Sequence, residues 1–598
     1  MSVIDDTDRP FLGVEASLTD QKWVSRLDLA AENRAIAIAQ TTGLPEIIAR
    51  VLAGRGVHPD DAARFLDPTV KELMPDPSTL ADCDTAAARI AAAIARRERI
   101  AIFGDYDVDG AASSALLSRF LSAHGVASEI YIPDRIFEGY GPNPQAIADL
   151  ISRGAQLIVT VDCGSTSHAA LEAAAERGVD VVVLDHHQMG ADAPPCHALV
   201  NPNRPDDVSG LSYLCACGVV FMALVNCQRL MRHEGGPAGR FDLLSQLDLV
   251  ALATVCDVVP LKGLNRAFVV KGLLAARMMG NAGLAALIRK VGVGGPLSPY
   301  HFGFLIGPRI NAGGRIGDAG LGARLLTLDE AGEAEAIAEK LDVLNRERQA
   351  METAMLEEAV AEVEAEIGGG EGPSVIITAR RGWHPGIVGL LAARLKERFR
   401  RPAFAIAFDG SGKGTGSGRS IPGFDLGQVV RQAVEAGLLA RGGGHAMAAG
   451  LTVEEGRLGE LRAFLEEKAE AKVGALRDGH RLRIDAALSA SGATLDLVDL
   501  VEKAGPYGSG HSQPVFALPA HIVVDSRIVG QNHVKVTLSG PGGGRLDGIA
   551  FRAADTGLGQ ALLAGRGTAF HVAGTLSAEH WQGMRRVQIR VLDAATAR

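Results

Sequence analysis

The chain has 598 residues, 47% hydrophobic and 22% charged, so it is too long for one core and too apolar for a disordered protein; about three to five globular domains are expected. A net charge of −10 and only 5% aromatic residues speak against a surface that coats nucleic acid non-specifically, but leave room for a narrow basic channel beside an acidic centre. Seven thinly spread cysteines fit a reduced cytoplasm, no apolar run reaches the roughly 18–20 residues of a membrane span, and the acidic opening has no signal-peptide core. A cytoplasmic protein with no membrane association is expected.

Residues 1–80 read as an irregular leader with helical pieces and no evident chemistry. Over 81–326, buried strands alternate with amphipathic helices: a helix over 86–97, a strand over 99–103, a helix over 111–124, strands over 156–161 and 181–184, and an apolar helical run over 243–256. That alternation predicts a parallel sheet wrapped by helices, with its site at the C-terminal strand edge. Residues 327–370, rich in Ala, Glu and Arg, predict one or two long connecting helices, and the Gly- and Pro-rich stretch 368–373 marks a domain boundary. A smaller α/β unit is expected over 371–472. Short turn-separated strands over 473–598 suggest a small closed β domain such as an OB-fold.

The strand over 99–103 runs into Gly104-Asp105-Tyr106-Asp107-Val108-Asp109-Gly110. One reading is an acidic turn that caps the next helix, with Asp109 as N-cap. The other takes Asp105, Asp107 and Asp109 as alternate positions of an extended backbone, converging on one volume that needs cations. Two further strands end in Asp162-Cys163-Gly164 and in Asp185-His186-His187, and Asp257 closes the apolar run. Carboxylates mixed with imidazole suit Mn²⁺, or Mg²⁺ less strictly, and the set is large enough for two ions sharing a bridging carboxylate. Cys215-Ala216-Cys217 lacks zinc-knuckle spacing and reads as core.

These runs, with Ala253–Leu261, resemble in order the motifs of the DHH phosphoesterase superfamily. Gly307–Arg315, Ser417–Gly423, Gly442–Gly450, Gly505–Gly508 and Val515-Phe516 narrow the likeness to its bacterial single-strand-specific 5′→3′ exonucleases, the RecJ family. The resemblance covers about residues 50–598. It implies two α/β domains, a parallel-sheet DHH domain and a smaller DHHA1 domain, joined by a long helix, plus a C-terminal OB-like barrel.

By the same resemblance, Asp107 and Asp162 bind one metal with Asp105 nearby. Asp109, Asp162, His186 and Asp257 bind the second, and Asp162 is the bridge. His187 contacts the scissile phosphate or the attacking water, and Asp185 orients a histidine from behind. Phe103 stands where some members carry a metal-binding histidine, which leaves the role of Asp105 open. Arg309 and Arg315, flanking Asn311 in a glycine-rich loop, are expected to hold phosphate oxygens; the alternative for them is surface charge. Ser417 and Arg419 look like a pocket for a 5′-terminal phosphate, and Gly443, Gly444 and His445 would pack near the nucleotide. Arg135 and Tyr140 are candidates for contacting the strand, and Lys535, Trp581, Arg585 and Arg586 for a groove on the barrel. The basic run Arg394, Lys396, Arg398, Arg400 and Arg401 reads equally as a solvated helix face or a nucleic-acid track.

The resemblance implies a monomeric exonuclease that shortens single-stranded DNA from its 5′ end to 5′-mononucleotides in recombination and repair, alongside a helicase and single-strand-binding protein. Its rivals are a phosphodiesterase of short oligonucleotides or dinucleotides, and a strand-binding relative that has lost the metals.

Overall fold

The computed structural model describes residues 9–134, 138–139, 141–233, 241–368, 372–477, 481–581 and 584–597. Two compact units account for the chain: Leu73–Gly479, and Met1–Glu72 together with His480–Arg598.

In the first of these, β1 (Ile100–Phe103), β2 (Ser128–Tyr131), β3 (Leu157–Val161), β4 (Asp180–Leu184) and β5 (Ala198–Val200) form a parallel sheet in the order β2-β1-β3-β4-β5. Every residue of β1 and β3 is buried, as expected of β-branched, apolar strands covered on both faces. The chain winds outward from β1 to one side and from β3 to the other. The crevice beyond the carboxyl ends of β1 and β3 is therefore the topological switch point, where open sheets of this kind hold ligands. Helix α1 (Val108–Ala123) leaves β1, and α2 (Ala216–His233), α3 (Leu247–Cys256) and α4 (Gly307–Ile316) follow β5.

The connecting region is one helix, α5 (Ala331–Ile367), capped at Glu330, whose carboxylate accepts from Gly332 N and Glu333 N. Its 37 residues span about 55 Å. Met355, Ala359 and Val363 of α5 enter the core beneath the second sheet, among Ile376, Val388 and Leu391. That sheet comprises β6 (Ile376–Arg381), β7 (Ala403–Phe408), β8 (Lys413–Arg419), β9 (Arg441–His445) and β10 (Ala448–Glu454), with α6 (Val388–Phe399) between β6 and β7. Its order is β9-β10-β8-β7-β6, and only β6 and β7 run parallel. Two of the five residues of the basic run on and after α6 pair with α5. Arg394 pairs with Glu352 at 2.9 Å and Arg398 with Glu364 at 2.7 Å, and Arg401 is buried against the Pro373 carbonyl.

In the other unit, β11 (Phe516–Val529), β12 (His533–Ser539), β13 (Arg545–Ala550), β14 (Ala569–Trp581) and β15 (Met584–Thr596) close into a barrel in the order β11-β12-β13-β15-β14-β11. β13 and β15 pair in parallel and a helix, Gly557–Ala564, lies between β13 and β14. This is the OB-type closed Greek key. Lys535 faces Asp547 at 3.5 Å and Arg585 pairs with Asp499 at 2.5 Å, so two of the four groove candidates are tied to carboxylates. Arg586 is exposed, and the side chain of Trp581 lies outside the described residues.

The helical pieces expected within residues 1–80 are present, Glu46–Ala53 and Ala62–Leu66 among them, but the segment as far as Glu72 groups with the C-terminal residues instead of standing apart as a leader. The strand Lys22–Ser25 pairs in parallel with Arg481–Ile484. Trp23 is fully buried, and its indole N–H donates to Asp593 Oδ2 at 2.8 Å. The buried Asp485 carboxylate takes Arg26 Nε at 3.1 Å and also Arg55. A buried indole and a buried carboxylate each require a partner, and here the partners lie more than 400 positions apart in sequence. Among the described residues no helix is long and apolar enough to cross a membrane.

Candidate metal centre

The acidic stretch turns from β1 into α1. Its N-cap is Asp107 rather than Asp109: Asp107 Oδ1 accepts from Asp109 N at 2.9 Å and Gly110 N at 3.1 Å. The three carboxylates therefore converge through a cap and a first helical turn, not through an extended backbone. Gly110 permits that turn, since a Cβ there would lie 2.4 Å from the Asp105 carbonyl oxygen. Asp109, on the first turn of α1, is buried and accepts from Ala216 N at 2.7 Å and Cys217 N at 2.8 Å. The N-terminus of α2, where backbone donors and the helix dipole favour an anion, thus holds this carboxylate in place. Cys215 and Cys217 are buried, with burial pushing both thiols well above their usual range.

Asp162 follows β3 and is buried with φ +61°; Asp257 ends α3, and the next residue, Val258, has φ +59°. A β-branched residue in the left-handed region is strained, and such strain gathers at functional sites. Asp257 also places a carboxylate at the negative end of a helix dipole, a position that favours a cation nearby. His186 Nε2 lies 3.3 Å from Asp162 Oδ1, 3.6 Å from Asp257 Oδ2 and 3.8 Å from Asp109 Oδ2. Among the described residues, three sets present ligand atoms within 4.8 Å of one another: Asp105, Asp107 and Asp162; Asp109, His186 and Asp257; and Asp162, His186 and His187.

The electrostatics fit cations. Burial, then the charges of Asp109, Asp107, Asp105 and Asp257, pushes Asp162 well above the usual carboxylate range. Burial, then Asp109 and Asp107, pushes Asp257 up to about 9, and burial raises Asp109 as well. Asp257 Oδ2 is buried and accepts no hydrogen bond among the described residues. Oxygen and imidazole donors without thiolate suit Mn²⁺ or Mg²⁺.

Asp185 behaves differently. Burial opposes its charge, but hydrogen bonds from His187 and Ser165 outweigh that and hold it below the usual range. Its carboxylate accepts from His187 Nδ1 at 2.7 Å, His186 N at 2.7 Å, His187 N at 3.2 Å and Ser165 N at 3.1 Å. It therefore fixes the two-histidine turn and leaves Nε2 as the ring atom of His187 directed away from it. For His187, burial opposes protonation, but Asp185 outweighs it and raises the ring to about 9.

Two residues that sequence reasoning missed complete this support. Asn201 Nδ2 donates to Ser165 Oγ at 2.8 Å and to the His187 carbonyl at 2.9 Å, and Asn203 Nδ2 donates to the His186 carbonyl at 2.5 Å. The available signal was positional: Asn201-Pro202-Asn203 leaves β5 at the same sheet edge as the other ligand runs. Asn201→Ala is expected to weaken Mn²⁺ binding by about 10–100-fold, measured by titration calorimetry, because the histidine turn loses an anchor that no ligand replaces.

The remaining expected residues lie elsewhere. Arg309, Asn311 and Arg315 stand on α4, not in a glycine-rich loop. The glycines serve close packing: a Cβ at Gly314 would lie 2.8–2.9 Å from Tyr106 of the acidic turn. Arg309 Nε donates to Asp342 Oδ1 at 2.9 Å and its Nη1 to the Leu305 carbonyl at 2.5 Å. Arg315 Nη1 donates to the Gly386 carbonyl at 3.1 Å, linking α4 to the loop before α6. Asn311 Oδ1 is buried and accepts no hydrogen bond among the described residues. On β8, Arg419 Nη1 donates to Ser417 Oγ at 2.9 Å, and a Cβ at Gly389, in the first turn of α6, would lie 3.2 Å from both Arg419 Nη2 and Ser417 Oγ. Gly443, Gly444 and His445 are on β9, with His445 exposed and accepting from Met447 N at 3.3 Å. Arg135 and Tyr140 lie outside the described residues.

Comparison with known proteins gives three family matches: the N-terminal domain of the DHH family over residues 99–254, the DHHA1 domain over 372–471 and the RecJ OB domain over 484–593. The chain is 37% identical to the single-stranded-DNA-specific exonuclease RecJ of Salmonella typhimurium, covering 85% of this chain and 89% of that protein. It is similar in structure to RecJ from Thermus thermophilus in complex with Mn²⁺, with a TM-score of 0.77 at 30% identity over 94% of this chain and 78% of that one. The Mg²⁺ complex of the same Thermus protein matches with a TM-score of 0.73 at 28% identity, over 95% and 77%.

Proposed function

The chain belongs to the RecJ family of single-stranded-DNA-specific exonucleases, and from that membership we propose that it hydrolyses single-stranded DNA from the 5′ end, releasing 5′-mononucleotides with two divalent ions, Mn²⁺ or Mg²⁺. The observation that carries the reading is the convergence of Asp105, Asp107, Asp109, Asp162, His186 and Asp257 at the switch point of the parallel sheet. The likeness to Thermus RecJ in complex with Mn²⁺ and with Mg²⁺ supports the choice of metal.

Asp105, Asp107 and Asp162 would hold one ion, and Asp109, His186 and Asp257 the other, with Asp162 reaching both. When bound, such a pair polarises a phosphoryl oxygen and lowers the pKa of a water. Asp185 fixes the ring of His187 through Nδ1, so that Nε2 is the atom placed to hold or release a proton beside the scissile phosphate. Ser417 and Arg419, against the first turn of α6, would take the 5′-terminal phosphate: a guanidinium, a hydroxyl and backbone N–H groups suit its charge and three oxygens. Asn311, with an unused buried carbonyl oxygen, would orient the nucleotide, and Gly443, Gly444 and His445 would approach it from β9. A role in recombination and repair, as a monomer beside a helicase and a single-strand-binding protein, completes the proposal.

Purified protein with Mn²⁺ should release mononucleotides stepwise from a 5′-labelled single strand and leave the duplex intact. Cleavage confined to dinucleotides would replace the reading with a short-substrate phosphodiesterase, and binding without turnover with a strand-binding relative. Arg419→Ala is expected to lower kcat/KM on 5′-phosphorylated strands by about 10–100-fold while changing 5′-hydroxyl strands little, because a charge-assisted contact is worth about 1.5–3 kcal/mol. Equal loss on both strands would remove the phosphate from that pocket.

A further inference from the structure

A π-helix, His301–Ile306, precedes α4. Such wide turns are rare and are frequently found at functional sites. On one side it buries Phe302 and Ile306. On the other, Tyr300 and Phe304 stack with ring centroids 5.3 Å apart and planes 23° apart, yet stand 58% and 71% exposed. In a chain with so few aromatic residues, two adjacent rings open to solvent are a concentrated feature.

Their position ties them to the metal centre. The segment rests on the last turn of α3: Phe302 O lies 3.4 Å from Cys256 Sγ, and a Cβ at Gly303 would lie 3.3 Å from Val255 Cγ1. Asp257 is the next residue. Beyond the π-helix, α4 runs on to pack Gly314 against Tyr106, so one continuous helical segment carries the aromatic pair at one end and crosses the acidic turn at the other. Val258, beside Asp257, is itself 67% exposed.

We propose that Tyr300 and Phe304 form a stacking platform for an unpaired nucleobase of the strand whose phosphate is at the metal centre. The inference rests on the exonuclease reading and extends it to a base contact. Because the two rings already touch, no third ring fits between them; the base lies on the outer face of Phe304, with Tyr300 backing it. A pair of rings is a small target beside the roughly 800 Å² that a protein partner buries, but it matches one base, and stacking tolerates any sequence.

The test uses full-length protein. Phe304→Ala should raise KM for oligo(dT) by about 5–100-fold with kcat nearly unchanged, since base stacking on an aromatic ring is worth about 1–3 kcal/mol. Phe304→Trp should bind at least as tightly as the natural protein. Phe304→Leu should behave as the alanine variant, because it keeps the apolar surface and loses the π face. Strands carrying an abasic site at each nucleotide in turn should reveal one position where the natural protein loses the same factor and Phe304→Ala loses nothing further. If the natural protein degrades single strands but Phe304→Ala has the same KM, or shows no such position, the platform is wrong and the exonuclease reading stands. A natural protein inert on every single strand would overturn that reading instead. Full activity of Phe304→Leu would show that the π face is not needed and overturn base stacking.

Discussion

Asp162→Ala is expected to reduce single-strand hydrolysis on the order of 10³-fold or more, since a carboxylate shared by two ion positions contributes several kcal/mol of transition-state stabilisation. Asp162 is the member of the acidic set closest to His186, and it enters two of the three ligand groups. Strand binding should persist, because the contacts proposed for the 5′ phosphate, Ser417 and Arg419, lie on β8 against α6 and not among the metal ligands. The backbone complicates the choice of variant: Asp162 sits at φ +61°, a conformation that Asn accepts and that costs Ala about 1–2 kcal/mol. Asp162→Asn is therefore the cleaner probe. It removes the charge but keeps the left-handed preference, and in metal-free protein its melting temperature should equal or exceed that of the natural chain. An Asp162→Asn protein that retains most of its hydrolysis would refute the bridging role.

Metal removal should make stability fall as pH rises. Burial and neighbouring carboxylates raise Asp257 to about 9 and push Asp162 and Asp109 upward, so the folded state keeps protons that the unfolded chain, with its ordinary carboxylates, has already released. Folding then weakens with increasing pH from about 4 up to the raised values. His187 acts in the same direction: its stabilising charge is complete below the unfolded value near 6.5 and is lost as pH rises through about 9. Asp185, held low, gives stability that is lost only as pH falls into the acid range, so it adds nothing in this window. In chelator, the melting temperature of the unit that holds the metal centre should drop on the order of 5 °C between pH 5 and pH 9. Added Mn²⁺ should restore more stability at pH 8 than at pH 5, because it takes the place of the protons. A melting temperature that is flat or rises over that range in chelator would contradict the picture. Asp257→Asn should remove Asp257's own share of the slope and leave the shares of Asp162, Asp109 and His187.

Much of the centre was legible from local pattern. Apolar, β-branched runs at 100–103, 157–161 and 181–184, short and bounded by turn residues, read as buried strands, and in a parallel sheet their ends share one edge, so Asp105 to Asp109, Asp162 and Asp185 to His187 gather there. The glycines misled where they served packing instead of turns: Gly307–Ile316 is helical because Gly314 must pass within contact of Tyr106, a partner more than 200 positions away. The cap shifted from Asp109 to Asp107 because the N-terminus of α2 claims Asp109, and nothing near residue 109 in sequence announces α2.

The sequence by itself determined the element types, the sheet edge and the inventory of ligands, because these depend on periodicity and on residue chemistry within a few positions. The tertiary structure decided which side chains pair with one another and which stay exposed. It tied Arg309 to Asp342, drew Asn201 and Asn203 behind the histidines, joined Trp23 to Asp593 and left Tyr300 and Phe304 in solvent. Each of these depends on a contact between distant segments, where a buried polar group takes whichever partner the packed backbone brings within reach.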